Sequence, residues 1–172
     1  MRVAESQVNV TRASPAHVVA SSGSKHAPAV FLRPRLDPAA IERLRAAAGH
    51  VFSPHPAVAA VYLYGSGARG EPLADLDIAV LTEHGATVGS LESLAAALQA
   101  EGAPQGPDID MRQLRGTGPR FRANVIGEGR LIFERSRAAR IAFEAESISE
   151  WLDFKPTWQR MRAQMLDRWI HG

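Results

Sequence analysis

The chain contains no cysteine. Disulfide bridges and thiolate zinc centres are therefore excluded, and the sequence is compatible with a reducing compartment. Long apolar runs are also missing. None approaches the roughly 20 residues that a membrane-spanning helix needs, and no continuous apolar core marks a secretory signal. A cytoplasmic protein without membrane contact is expected. Charge of one sign is scarce too: 20 Lys and Arg face 18 Asp and Glu, a formal net charge of +2. That balance gives no strong signal for nucleic-acid binding. The 6 histidines are scattered without paired ligand spacing, which makes them surface or packing residues rather than metal ligands.

What is present is an ordinary globular chain. Its 172 residues are 45% hydrophobic and 22% charged, enough to bury one core. Residues 1–36 differ from the rest. They are rich in Ser, Ala and Val, carry Pro15, Pro28 and Pro34, and set Arg2, Arg12, Lys25, Arg33 and Arg35 against Glu5 alone. Without a sustained period they read as a disordered basic extension, ahead of a folded unit over 37–172.

The stretch that organises the fold runs from Ala59 to Val80, AAVYLYGSGARGEPLADLDIAV. It reads as an apolar strand, a glycine-rich turn, a short connection and a second strand from about Asp75 to Leu81. Successive strand residues point to opposite faces, so Asp75 and Asp77 share one face while Leu76 and Ile78 take the other. Two such carboxylates repel each other unless a cation sits between them, and hard divalent ions take oxygen ligands together with substrate phosphates. Gly65, Gly67 and Gly70 let the backbone approach phosphate oxygens, and Ser66 and Arg69 supply donors. The pattern points to metal-dependent nucleotidyl transfer.

Two other templates fit the same letters. Gly65 to Gly70 spells G-x-G-x-x-G, the dinucleotide-binding fingerprint, but that motif requires the glycines to open a helix. Here Pro72 and then the DLDIAVL strand follow almost at once, so no helix is expected. A tight hairpin with solvated aspartates is the other template.

Along the rest of the chain, Asp37 and Pro38 start a helix over about 38–49. The first strand spans Val58–Tyr64, and a second helix begins near Leu91 and ends near Gly102. Ile109 to Leu114 forms a third strand, in which Asp110 faces away from its apolar neighbours Ile109 and Met111. Alone it is an ordinary solvated residue. Its place matters because two-metal phosphoryl chemistry wants several carboxylates around ions about 4 Å apart. A short helix over 120–127 and an edge strand at Leu131–Phe133 come next. Ser136 caps a helix to about Asp153, with Ile141, Ala145, Ile148 and Leu152 inward, and Lys155–Pro156 interrupts it. A last helix, Thr157 to Ile170, lines up Trp158, Met161, Met165 and Trp169, either for packing or to dock a partner.

GSGARGEPLADLDIAV resembles the G-S…D-x-D signature of polymerase-β-like nucleotidyltransferases, and is most similar to their minimal, MNT-type members. DIDMRQL is placed like the third-aspartate strand of that family. IGEGRLIFERSRAARIAFEAESISEWLDFKP is similar to its later segment, and together the likeness covers about 37–160. The resemblance implies an α/β (α+β) fold, a small mixed sheet flanked by helices, with a helical C-terminus. It implies that Asp75, Asp77 and Asp110 bind two Mg²⁺ ions and are the catalytic carboxylates, while Gly65, Ser66 and Arg69 bind the phosphates of ATP. MNT proteins commonly pair with HEPN-type toxins, which they neutralise by adenylylating a tyrosine, by binding, or both. The resemblance thus implies a protein hydroxyl as acceptor of AMP. Neutralisation by binding through the C-terminal helix is the alternative, and transfer to a small molecule such as an aminoglycoside a third. Two departures stand out: the connection 67–74 is short, and Ala74 stands where a serine often precedes the first aspartate.

Overall fold

A computed structural model describes residues 33–171. The extension expected over 1–36 lies almost wholly outside the described residues. Nine elements follow in order: α1 (Pro38–Phe52), β1 (Val58–Tyr64), α2 (Gly65–Arg69), β2 (Leu76–Thr82), α3 (Leu91–Gly102), β3 (Ile109–Gln113), α4 (Pro119–Glu128), β4 (Arg130–Glu134) and α5 (Arg137–His171). The strands form one mixed sheet in the order β3-β2-β1-β4. β1 runs antiparallel to both β2 and β4, while β2 and β3 are parallel and joined through α3.

Local chemistry explains most of these boundaries. The Asp37 side chain accepts a hydrogen bond of 2.6 Å from Ala40 N, with Pro38 in the first turn of α1. Ser90 caps α3 in the same way, accepting from Ser93 N at 3.1 Å. β1 is buried from Val58 to Leu63, and β2 is buried throughout except at Asp77, which is half-buried. One face of the sheet packs Val61, Leu63, Ile78 and Val80 against Leu44 and Phe52 of α1 and Leu98 of α3. The other packs Tyr62, Ala79 and Leu81 against Val125 of α4 and Phe143 of α5.

Three expectations are corrected. Gly65–Arg69 does form a helix, a five-residue one, where a turn was expected. The antiparallel pairing of β1 with β2 nevertheless excludes a dinucleotide-binding βαβ unit, which needs parallel strands. The second correction concerns the C-terminus. α5 runs unbroken through Pro156. Proline removes one backbone donor, and the carbonyl of Leu152 that would have accepted it lies on an exposed stretch where water can serve instead.

The inward face of α5 also differs from expectation. Ile141 and Leu152 are 48% and 60% exposed, while Phe143 and Ser147 are buried. Polar pairs set this rotation. The Tyr62 hydroxyl donates to Glu144 at 2.7 Å, and Arg140 bridges Glu134 and Glu144 at 2.7 and 2.9 Å. Apolar spacing alone does not reveal such pairs.

Candidate active site

The site is assembled at the end of β1 and the start of β2 and β3. Tyr64 pairs with Asp77 across the antiparallel ladder, and Asp77 pairs with Asp110 across the parallel one. Residues opposed across a sheet present their side chains on the same face, so the phenol and two carboxylates form one row. That face is the one covered further along by α4 and α5. Asp75 lies just ahead of β2 and is exposed.

The row is under electrostatic tension. Burial pushes the Asp77 carboxyl up, and the neighbouring Asp110 pushes it further, with Arg112 opposing. Burial and then Asp77 push the Tyr64 phenol up to about 12. Arg112 grips Asp110 Oδ2 through Nη2 at 2.8 Å and Nε at 3.0 Å. It is a cation set directly into the row.

Gly65 is held at φ +66° against Asp77: an added Cβ would overlap Oδ2 and stand 3.1 Å from Cγ. Only glycine fits that left-handed, crowded position. α2 starts here with Tyr64 as a cap residue that offers no side-chain acceptor, so its first N–H groups lie uncapped beside Asp77. Gly70, at φ +70°, closes the helix, and Glu71 N donates to Ser66 O at 3.0 Å. The short connection 67–74 is then pinned at Leu73, which is 1% exposed and donates its N–H to Pro34 O at 3.0 Å.

Two of the residues expected near the phosphates, Gly67 and Arg69, have close protein neighbours. Gly67 is buried, and a Cβ there would meet Leu63 and Leu36 at 3.3 and 3.4 Å, so its role is close packing. Arg69 bridges Glu71 at 2.9 Å and Glu128 at 3.1 Å. With Tyr64, Gly65, Phe121, Asn124, Val125 and Glu128 it lines a cavity of about 130 Å³ beside the carboxylates. Phe121 meets Tyr64 edge-on at 5.3 Å there.

Among the described residues, no three acidic or histidine side chains gather into a ready-made metal group. Asp77 and Asp110 stand side by side, and Asp75, just ahead of β2, adds its charge to the repulsion felt by Asp77. The oxygen-only donors of this pair, with the Asp77 carboxyl raised in pKa by burial and then by the charge of Asp110, fit a hard divalent cation. Arg112 and Tyr64 were not anticipated as part of the site. Arg112 was readable, since it follows Asp110 by two residues on the same strand face. Phe121 and Glu128 come from α4 and carry no local signal.

Fold and site together define a nucleotidyltransferase domain. Residues 48–138 match the polymerase beta nucleotidyltransferase family, and the chain belongs to that family. The matched region holds Gly65, Ser66 and all three aspartates. Among solved structures, the chain is similar to one from a toxin–antitoxin crystallised with AMP-PNP, at 21% identity and TM-score 0.58, covering 71% of this chain and 98% of that one. It is also similar to one from the tri-AMPylated Shewanella oneidensis HEPN toxin in complex with MNT antitoxin. There the identity is 20%, the TM-score 0.57 and the coverage 73% and 98%. A chain of the toxin–antitoxin MntA-HepT gives 20% identity and TM-score 0.55, over 73% and 98%. At such identities the likeness establishes a shared fold. No curated protein matches the sequence significantly.

Proposed function

We propose that the chain is a Mg²⁺-dependent adenylyltransferase that moves AMP from ATP to a hydroxyl of a partner protein. The partner is a HEPN-type toxin modified on a tyrosine, so that the chain acts as its antitoxin. The observation that carries this reading is the side-by-side placement of Asp77 and Asp110 next to the uncapped start of α2. Support for donor and acceptor comes from the similar structures, one crystallised with AMP-PNP and one holding a tri-AMPylated toxin.

In this reading Gly65 and Ser66 hold the triphosphate through backbone N–H groups and a hydroxyl. Asp77 and Asp110, joined by Asp75 turning inward, hold Mg²⁺. The ions would neutralise the triphosphate and the departing pyrophosphate. Asp110, oriented by Arg112, faces the acceptor and takes the proton of the attacking hydroxyl. The hydroxyl oxygen bonds to the α-phosphorus as the bond to the bridging oxygen breaks, and pyrophosphate leaves. Arg69 exchanges Glu71 and Glu128 for phosphate oxygens when nucleotide is bound.

A second reading, neutralisation by binding alone, draws on the exposure of Met161, Met165 and Trp169 at 51, 58 and 87%. One experiment separates the two. The chain is incubated with labelled ATP, Mg²⁺ and the purified product of the adjacent gene, and intact masses are recorded. AMP increments on the partner, absent with Asp75→Asn/Asp77→Asn, support transfer. A stable complex without any mass gain would overturn it in favour of binding.

A further inference from the structure

Arg112 grips Asp110 although the fold gains little from the contact. Both residues sit on β3, two positions apart and therefore on one face. The pair ties no two elements together, and β3 is an edge strand of the sheet. The two side chains are 59% and 42% exposed, where an ion pair adds little stability because water screens it. Yet the contact is doubled, with Nη2 and Nε both donating to Oδ2 at 2.8 and 3.0 Å. Such a clamp is well formed and easily exchanged.

Its place in the sheet shows what it acts on. Arg112 stands opposite Ala79 in the parallel ladder, two residues beyond the pairing of Asp77 with Asp110. Its charge favours the ionised forms of Asp77 and Tyr64, against the burial that opposes them. The guanidinium thus offsets part of the repulsion that a divalent ion would otherwise relieve. A cation entering at Asp110 has to compete with it. Arg69, beside the neighbouring cavity, is paired with Glu71 and Glu128 instead.

We propose that Arg112 is a positioning residue that screens Asp110 from divalent ions in the free site and releases it when a nucleoside triphosphate shares the guanidinium. An arginine has five N–H donors in a fixed fork. Here Nε and Nη2 are used on Oδ2, which leaves donors for a phosphate oxygen while the carboxylate stays oriented. As phosphate draws the positive charge away, Asp110 becomes a better ligand, so the ion enters with the nucleotide rather than ahead of it. The inference rests on the carboxylate row being the metal site.

The test uses the full chain with Mn²⁺ as the probe, followed by the paramagnetic resonance of the free ion. Arg112→Gln should tighten Mn²⁺ binding to the nucleotide-free chain by about tenfold, while Arg112→Lys keeps it near the natural value. At saturating Mn²⁺, the same Arg112→Gln should weaken AMP-PNP binding several-fold. A loosened site would move both affinities in the same direction, whereas a shared cation moves them apart. Adding Asp110→Asn to Arg112→Gln should remove the gain in Mn²⁺ affinity. An unchanged or lowered Mn²⁺ affinity in Arg112→Gln would overturn the proposal, and so would a gain that persists without the Asp110 carboxylate. The expected Mn²⁺ behaviour with no AMP transfer to any partner overturns the transfer reading alone. No Mn²⁺ binding by any of these chains overturns the metal site and the proposal together.

Discussion

The two faces of the sheet are built from the same strands and end differently. On the face under α1 and α3, β2 contributes Leu76, Ile78 and Val80, each 0% exposed, and the apolar packing is continuous along the strand. On the other face the same strand contributes Asp77, Ala79 and Leu81. Ala79 and Leu81 are sealed by α4 and α5, and Asp77 is left half-buried beside Asp110 where that cover ends. One face supplies stability, and the open end of the other holds charges that the fold alone leaves in repulsion. A carboxylate pair of this kind is tolerable because the opposite face is closed directly beneath it.

The sharpest way to break this contrast is at the open end. Asp77→Asn should lower AMP transfer by on the order of 10²–10³-fold, measured as incorporation into the partner, with the fold intact. An unchanged rate would remove Asp77 from the site. On the closed face the expected effect is reversed in kind. Phe52→Ala should destabilise the fold by about 3–5 kcal/mol in urea unfolding, while transfer per folded molecule stays the same.

Gly65→Ala tests the seam between turn and carboxylate. It places a Cβ at φ +66° against Asp77, which should cost about 1–2 kcal/mol in stability and reduce transfer as well. A neutral outcome in both would mean that α2 can shift away from the carboxylate freely.

The smallest effect is a pH dependence. Asp77 has a raised pKa in the folded state, so the folded state binds more protons than the unfolded one between the two values. Stability therefore falls as pH rises through that window, and the penalty is full above the folded value. Asn carries no charge. Asp77→Asn should raise Tm at pH 7 by on the order of 1–3 °C, and the gain should vanish below the unfolded carboxylate value near about 3.9. Saturating Mg²⁺ should raise Tm of the natural chain and shrink the gap. Absence of any Mg²⁺ effect on the natural chain would count against Asp77 as a ligand.

Much of this was legible in the residues themselves. Asp37–Pro38 and Ser90 mark helix starts because a cap acts on N–H groups two or three residues away. β1 and β3 announce themselves by apolar content and alternation, and the Gly65–Ser66 and Asp75–Asp77 pattern marks the site because strand geometry puts alternate residues on one face. Each of these signals is carried between neighbours in the chain. What the sequence left open depends on partners far along it. Asp77 meets Asp110 because α3 carries the chain back to a parallel strand, Glu128 reaches Arg69 across 59 positions, and Arg140 and Glu144 turn α5 so that Phe143 faces inward. Trp158 and Met165 stood at helical spacing that suits packing first and docking second; only the tertiary structure decided that nothing in the described fold covers Met165. Periodicity says that a helix has an apolar stripe, and the presence or absence of an opposing surface says what the stripe is for.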